Sequence, residues 1–270
     1  MKNIKIESKG KSLLLITFIS LFLLSISGCS LFQKRYEKTD KKEFQISASG
    51  KTKLVIDNKN GDISVKKNSS DSTVLVIAEI TSYLTKKELS ENVNSLDLLI
   101  DTSSSEIRIS TKSSISERNF FNFGNRKNNS INYTVYLPPK IVAELSMVNG
   151  RFEASNVSND LTGGTVNGNI NLDKTSGLLK LETVNGKITA VLDSTKGLNF
   201  ETVNGSVNLK LSPVFSGKFD LDWVNGSVKY DDFNFQNVYK EKRSFKAKLG
   251  NSDSEIKVST VNGSIKMQKQ

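Results

Sequence analysis

Through the second half of the chain apolar side chains recur at alternate positions, and the alternation breaks each time at Val-Asn-Gly. The asparagines of that tripeptide are Asn149, Asn167, Asn185, Asn204, Asn225 and Asn262. Their steps are 18, 18, 19, 21 and 37 residues, so the last covers about two periods and predicts a degenerate copy around Phe245. Lys59-Asn60-Gly61 reads as an early, diverged member. Six residues before each asparagine lie Ala143, Leu161, Leu179, Leu198, Phe219 and Ile256. Three after lie Phe152, Ile170, Ile188, Val207, Val228 and Ile265. Positions four before and five after are apolar with one exception, Gly163. Each unit is therefore two short half-buried strands of period two joined at Asn-Gly.

Two architectures accommodate such a unit. In an antiparallel meander Asn-Gly is a type I′ hairpin turn, for which it is the favoured dipeptide. In a β-solenoid it is a corner, and each coil of about 18 residues stacks on the last, so that like meets like. The valine discriminates between them: a hairpin puts it on a wet face, where six valines in six units have no reason to occur, whereas a corner folds it inward. Asparagine stacked on asparagine also gains amide hydrogen bonds along a ladder. The expected fold is all-β, a β-solenoid, with about 12 coils at roughly 4.8 Å giving a rod of around 55–60 Å.

The stretch from Leu54 to Ser110 is less regular. Strands are predicted at Lys53 to Ile56, Val74 to Ile80 and Ile107 to Ile109, and Thr85-Lys86-Lys87-Glu88 has the form of a capping box. Leu89, Val93 and Leu96 follow at helical spacing, which predicts a short helix near Lys86 to Ser95 covering an end or side of the solenoid. Two features offer contact chemistry. The segment Ser116 to Ser130 mixes Phe120, Phe121 and Phe123 with Arg118, Arg126 and Lys127, a composition that stacks on sugar rings or grips a protein partner, unless the rings tuck onto the solenoid flank. Trp223 stands where other units carry Thr165, Thr183, Thr202 and Thr260; it is an exposed contact if those threonines face out and core filling if they face in. Asp231, Asp232, Phe233, Phe235 and Tyr239 mark a longer loop displacing one repeat.

The start of the chain changes the picture from a rod to a tethered rod. Lys2, Lys5, Lys9 and Lys11 precede an apolar run from Leu13 to Ile26, too short for a comfortable membrane span but suited to a signal-peptide core. It ends in Ile26-Ser27-Gly28-Cys29, which resembles the lipobox of bacterial lipoprotein precursors. That resemblance implies cleavage after residue 28, lipid on Cys29, a tether over 29–43 and a folded domain over 44–270. Ser30 rather than aspartate follows the cysteine, which by analogy permits transfer to the outer membrane where a bacterium has two. Two or three acyl chains on one residue anchor firmly. Cys29 is the sole cysteine, so no internal disulfide is expected.

Composition then narrows the chemistry. The formal charge is +10, and +7 once residues 1–28 are removed; the cations are scattered among acids, giving a solvated surface and no nucleic-acid footprint for an exported domain. With no histidine in the chain, Ser-His-Asp catalysis and histidine metal ligation are excluded. The carboxylates Asp173, Glu182, Asp193 and Glu201 are spread singly over units, with no pair to assign as acid and base. No metal site, cofactor or catalytic residue is expected. Asn60-Gly61-Asp62 hints at calcium-loop chemistry, but the aspartate does not recur.

Tyr133-Thr134-Val135-Tyr136-Leu137-Pro138, followed by G-x-L-x-L-x-T-V-N-G-x-I units, resembles the bacterial putative-adhesin domain of β-strand repeats, related to the head domains of auto-transporter adhesins. The resemblance implies a right-handed parallel β-helix on a membrane-tethered envelope protein, and it brings no catalytic residues. The expected function is non-catalytic binding or scaffolding at the cell envelope, with the membrane as one partner through Cys29 and a glycan or envelope protein as another. The rivals are a polysaccharide-active β-helix enzyme and an accessory protein of an envelope-stress sensor.

Overall fold

The computed structural model describes residues 34–91, 96–113 and 129–270. The chain opens with β1 (Tyr36–Ser47), β2 (Lys53–Asn60), β3 (Ile63–Lys67) and β4 (Thr73–Leu84), then the helix α1 (Lys86–Ser90), β5 (Leu96–Asp101), β6 (Glu106–Ser113) and β7 (Ser130–Leu137). The regular units follow as strand pairs around Asn-Gly: β8 (Val142–Asn149) with β9 (Phe152–Ser155), β10 (Leu161–Asn167) with β11 (Ile170–Asp173), β12 (Leu178–Asn185) with β13 (Ile188–Leu192), and β14 (Gly197–Asn204) with β15 (Val207–Leu211). β16 (Gly217–Tyr230) and β19 (Glu255–Lys269) run through the corner unbroken and are separated by β17 (Gln236–Lys240) and β18 (Ser244–Leu249).

These strands stack as a solenoid with two faces. Before the corner, β6, β2, β8, β10, β12, β14, β19 and β16 pair in that order, all parallel. After it, β7, β3, β9, β11, β13, β15, β19 and β16 do the same. Like residues sit over like: Leu161 pairs with Leu179 and Ile170 with Ile188. The alternation therefore sends one set of side chains into a shared interior, where Leu54, Ile63, Leu161, Ile188, Phe200 and Ile265 are fully buried. Each such side chain contributes about 1.5–3 kcal/mol.

The order of rungs is not the order of the sequence. β2–β3 is clasped between β6–β7 and β8–β9, and β19 between β14–β15 and β16. An early pair of strands and a late strand thus each form an interior rung. Among the described residues there are eight rungs rather than twelve; with β5 and β18–β17 added at its ends the first face has eleven strands, about 48 Å at 4.8 Å spacing. Phe245 is not part of a degenerate coil: it lies on β18, which runs antiparallel to β16 and pairs it with Leu221. The long asparagine step exists because β17 and β18 leave the stack before β19 re-enters it.

Both ends are closed. At one, β4 lies antiparallel on β7 and buries Val74, Val76, Ala78 and Ile80, and β1 pairs with β4 over twelve residues from Tyr36↔Leu84 to Ser47↔Thr73. The expected tether is therefore shorter by the residues from Tyr36 on: Tyr36 to Lys42 is strand. Its charged, unpatterned sequence suits an outermost strand, which needs polar side chains to discourage further pairing, while Phe44 and Ile46 pack on the core. At the other end the run beginning at Asp231 is an aromatic plug. Phe235 stands 5.5 Å from both Phe219 and Phe245, and Tyr230 lies 5.0 Å from Phe245. The helix forms where the capping box predicts: Thr85 Oγ1 accepts from Glu88 N at 3.2 Å and Glu88 accepts from Thr85 N at 2.7 Å. It ends at Ser90.

Candidate binding surface at the asparagine corner

The corner is built by three residue types acting across rungs. Each asparagine Nδ2 donates to the Oδ1 of a neighbour at 2.8–3.0 Å, in the unbroken series Asn225, Asn262, Asn204, Asn185, Asn167, Asn149 and Asn60. Asn60 then donates to the Asn129 carbonyl at 3.3 Å. All donate in the same direction. The ladder expected from the sequence is present, and Asn60 belongs to it. Beneath it, threonine hydroxyls two residues before the asparagine reach the corner glycine carbonyl of the adjoining rung: Thr183 to Gly168 at 2.9 Å, Thr202 to Gly186 at 3.2 Å and Thr260 to Gly205 at 3.1 Å. Backbones approach so closely there that a Cβ on Gly168, Gly186, Gly205 or Gly263 would run into the carbonyl oxygen of the glycine in the next rung.

Asn185→Ala removes one donor and one acceptor in mid-ladder, leaving Asn204 Nδ2 and Asn167 Oδ1 to water. Because those groups are exposed, the expected loss is about 1 kcal/mol, read as a denaturation midpoint shift with an unchanged slope.

The valines of the repeat do not fold inward. Val148, Val166, Val184, Val203, Val224 and Val261 are 39–45% exposed, and the buried member of the corner is the threonine, at 2–4% for Thr165, Thr183, Thr202 and Thr260. The threonine can be buried because its hydroxyl has a carbonyl partner, and the pleat then obliges the next residue to point out. β-Branched side chains stacked at rung spacing suit that outer position. Parallel stacking holds although the valine argument for it does not. The result is a stripe of valines beside a line of amides, running across the six rungs from β8–β9 to β16.

Since the threonine position faces in, Trp223 does too. It is 7% exposed and belongs to the core of the outermost rung, which corrects its reading as a surface contact: it fills space near the aromatic plug. Arg118, Phe120, Phe121, Phe123, Arg126 and Lys127 lie outside the described residues, as does Cys29. The flanks of the aromatic segment are placed, however. Ser113 ends β6, and Asn129, whose carbonyl accepts the last bond of the asparagine ladder, precedes β7.

Ionisable groups on the rod serve its architecture. Burial pushes the Tyr133 hydroxyl up to about 12, opposed by its 3.2 Å hydrogen bond with Thr111. The Leu178 amide holds the Asp160 carboxyl below its usual range, with Lys196 2.9 Å away adding to the effect. Among the described residues no three His, Cys, Asp or Glu side chains converge as metal ligands.

One surface feature was not foreseen. Where β1 begins beside α1, Lys34, Tyr36, Lys86, Lys87 and Ser90 line an open groove of about 610 Å³. Only the pairing of β1 with β4 brings these distant segments together, although the basic residues flanking a capped helix were a signal.

A family model described as Toastrack DUF4097 matches residues 37–268. No curated protein matches the chain. Among solved structures, a putative cell adhesion protein from Clostridium sporogenes is similar at 15% identity, covering 86% of this chain and 100% of that one with a TM-score of 0.47. A putative adhesin from Bacteroides fragilis is similar at 12% identity over 85% and 97%, with a TM-score of 0.40. A putative lipid binding protein from Parabacteroides distasonis is similar at 9% identity over 86% and 97%, with a TM-score of 0.29.

Proposed function

The chain belongs to the Toastrack DUF4097 family, and from that premise we propose that it is a non-catalytic binding or scaffolding module, held on the cell envelope by lipid on Cys29. The observation that supports this reading best is the locked register of the rungs. Identical side chains recur along the corner at one spacing, which presents a partner with a rigid valine and amide stripe rather than with a pocket. A surface fixed before binding loses little conformational entropy on contact. The segment carrying Arg118, Phe120, Phe121, Phe123, Arg126 and Lys127, which lies between β6 and β7 in the sequence, is the contact for a glycan or an envelope protein. In a bacterium with two membranes, Ser30 directs the rod to the outer one.

The test uses the lipidated chain. Saturable binding to intact cells or to a glycan panel is expected, falling at least about tenfold, equivalent to about 1.4 kcal/mol, on deletion of residues 118–128. Cys29→Ala should move the protein from the membrane to the soluble fraction. Release of reducing ends from any panel glycan would replace this reading with the enzymatic one.

A further inference from the structure

We propose that the groove between the start of β1 and α1 is a docking surface for anionic phospholipid headgroups, so that the rod rests its β1 end on the bilayer to which it is tethered. The inference rests on the lipoprotein reading of Cys29. Five peptide steps separate Cys29 from Lys34, and a fully extended chain covers about 3.3–3.6 Å per residue, so Lys34 lies within roughly 18 Å of the lipidated residue. The surface around Lys34 is therefore held close to the membrane.

That surface is suited to anionic lipid. Lys34, Lys86 and Lys87 stand on the rim of one open groove. Neither Lys34 nor Lys86 has an ion-pair partner among the described residues. The nearby acids are engaged: Glu88 turns back to the Thr85 amide at 2.7 Å, and Glu91 lies 3.8 Å from Lys87, whose side chain remains 82% exposed. Arg35 is held by the Tyr83 carbonyl at 2.9 Å, which fixes the segment that carries Lys34. Tyr36 lies beneath the Lys34 ammonium, 5.4 Å from ring centroid to Nζ, and Leu89 is exposed nearby, giving the interface an aromatic and an aliphatic member. The groove is open and its cations are spread along its rim, which fits a plane of headgroups better than one enclosed anion. Basic clusters beside a membrane anchor are attracted to anionic lipid, and salt screens the attraction.

The experiment places the lipidated protein on vesicles of phosphatidylcholine alone, or of phosphatidylcholine with phosphatidylglycerol. A water-soluble amine-acylating reagent is added and each lysine is read by mass spectrometry, with the exposed Lys180 and Lys266 on the flanks as references. In phosphatidylglycerol vesicles at low salt, Lys34, Lys86 and Lys87 are expected to label about threefold or more slowly than on neutral vesicles, with the difference lost near 1 M salt. The double variant Lys86→Gln with Lys87→Gln should relieve the protection of Lys34. Equal labelling on both vesicle types overturns the docking surface while leaving the anchor intact. Equivalent protection by inorganic phosphate without vesicles overturns it in favour of a soluble anion. Failure of the protein to float with either vesicle overturns the lipid anchor, and the docking surface with it.

Discussion

Ile265→Asp, five residues from the C-terminus, is expected to unfold the rod, whereas Val228→Asp at the same position of an earlier repeat is expected to be tolerated. Ordinarily a terminal strand frays and its substitutions are mild. Here β19 is an interior rung with hydrogen-bonded neighbours on both sides, and Ile265 is fully buried between Val207 and Val228. A carboxylate at that site has no partner and no water, a burden of several kcal/mol. Val228 sits in the outermost rung and is only partly buried, so its carboxylate can reach solvent at a cost of about 1 kcal/mol. For a domain of this size a loss of 4 kcal/mol corresponds to about 8–16 °C in melting temperature. Thermal unfolding of the two variants decides the matter. If Val228→Asp proves as damaging as Ile265→Asp, the interleaved order of rungs is wrong.

Gly205→Ala should be the other severe lesion, even though it adds a single methyl group. The added carbon would overlap the Gly186 carbonyl oxygen, and that carbonyl already accepts from the Thr202 hydroxyl. Nor can Gly205 move away, because its own amide donates to the Asn262 carbonyl at 3.1 Å. Relief requires adjacent rungs to part, breaking the Asn204–Asn185 and Asn262–Asn204 bonds on the way. The expected loss is about 4 kcal/mol or more. Gly50→Ala is the control: with φ of +70° and no atom within 4 Å of a new Cβ, it meets strain alone, about 1 kcal/mol. Comparable melting of the two variants would mean that the corner glycines are not needed for close approach.

The repeat made the rung legible because inward positions such as Leu161 and Ile170 recur with an unmistakable period. It could not order the rungs. Asn225 and Asn262 carry the same inward pattern around them, so either could neighbour Asn204; the connection through β17 and β18 decides, and nothing in the alternation reports it. Hydropathy also ranked valine above threonine as the inward residue. The corner reverses that ranking because a buried hydroxyl there finds a carbonyl and a buried methyl would not. The strand nature of Tyr36 to Lys42 was hidden for a related reason: a strand with charged side chains at its solvent-facing edge carries no apolar signal, and its partner β4 lies distant in sequence. The same concealment kept the basic groove from view.

The clasping of β2–β3 and of β19 bears on how the molecule behaves under tension. A coil wound in simple sequence would unreel from its tip like thread from a spool. A pull applied at residue 34 would first load the twelve-residue ladder between β1 and β4; once that parted, unravelling would meet β2–β3, which is gripped from above and below. At the opposite tip β19 is gripped in the same way, so beyond the β1–β4 ladder the stack does not unreel coil by coil but gives way as a body.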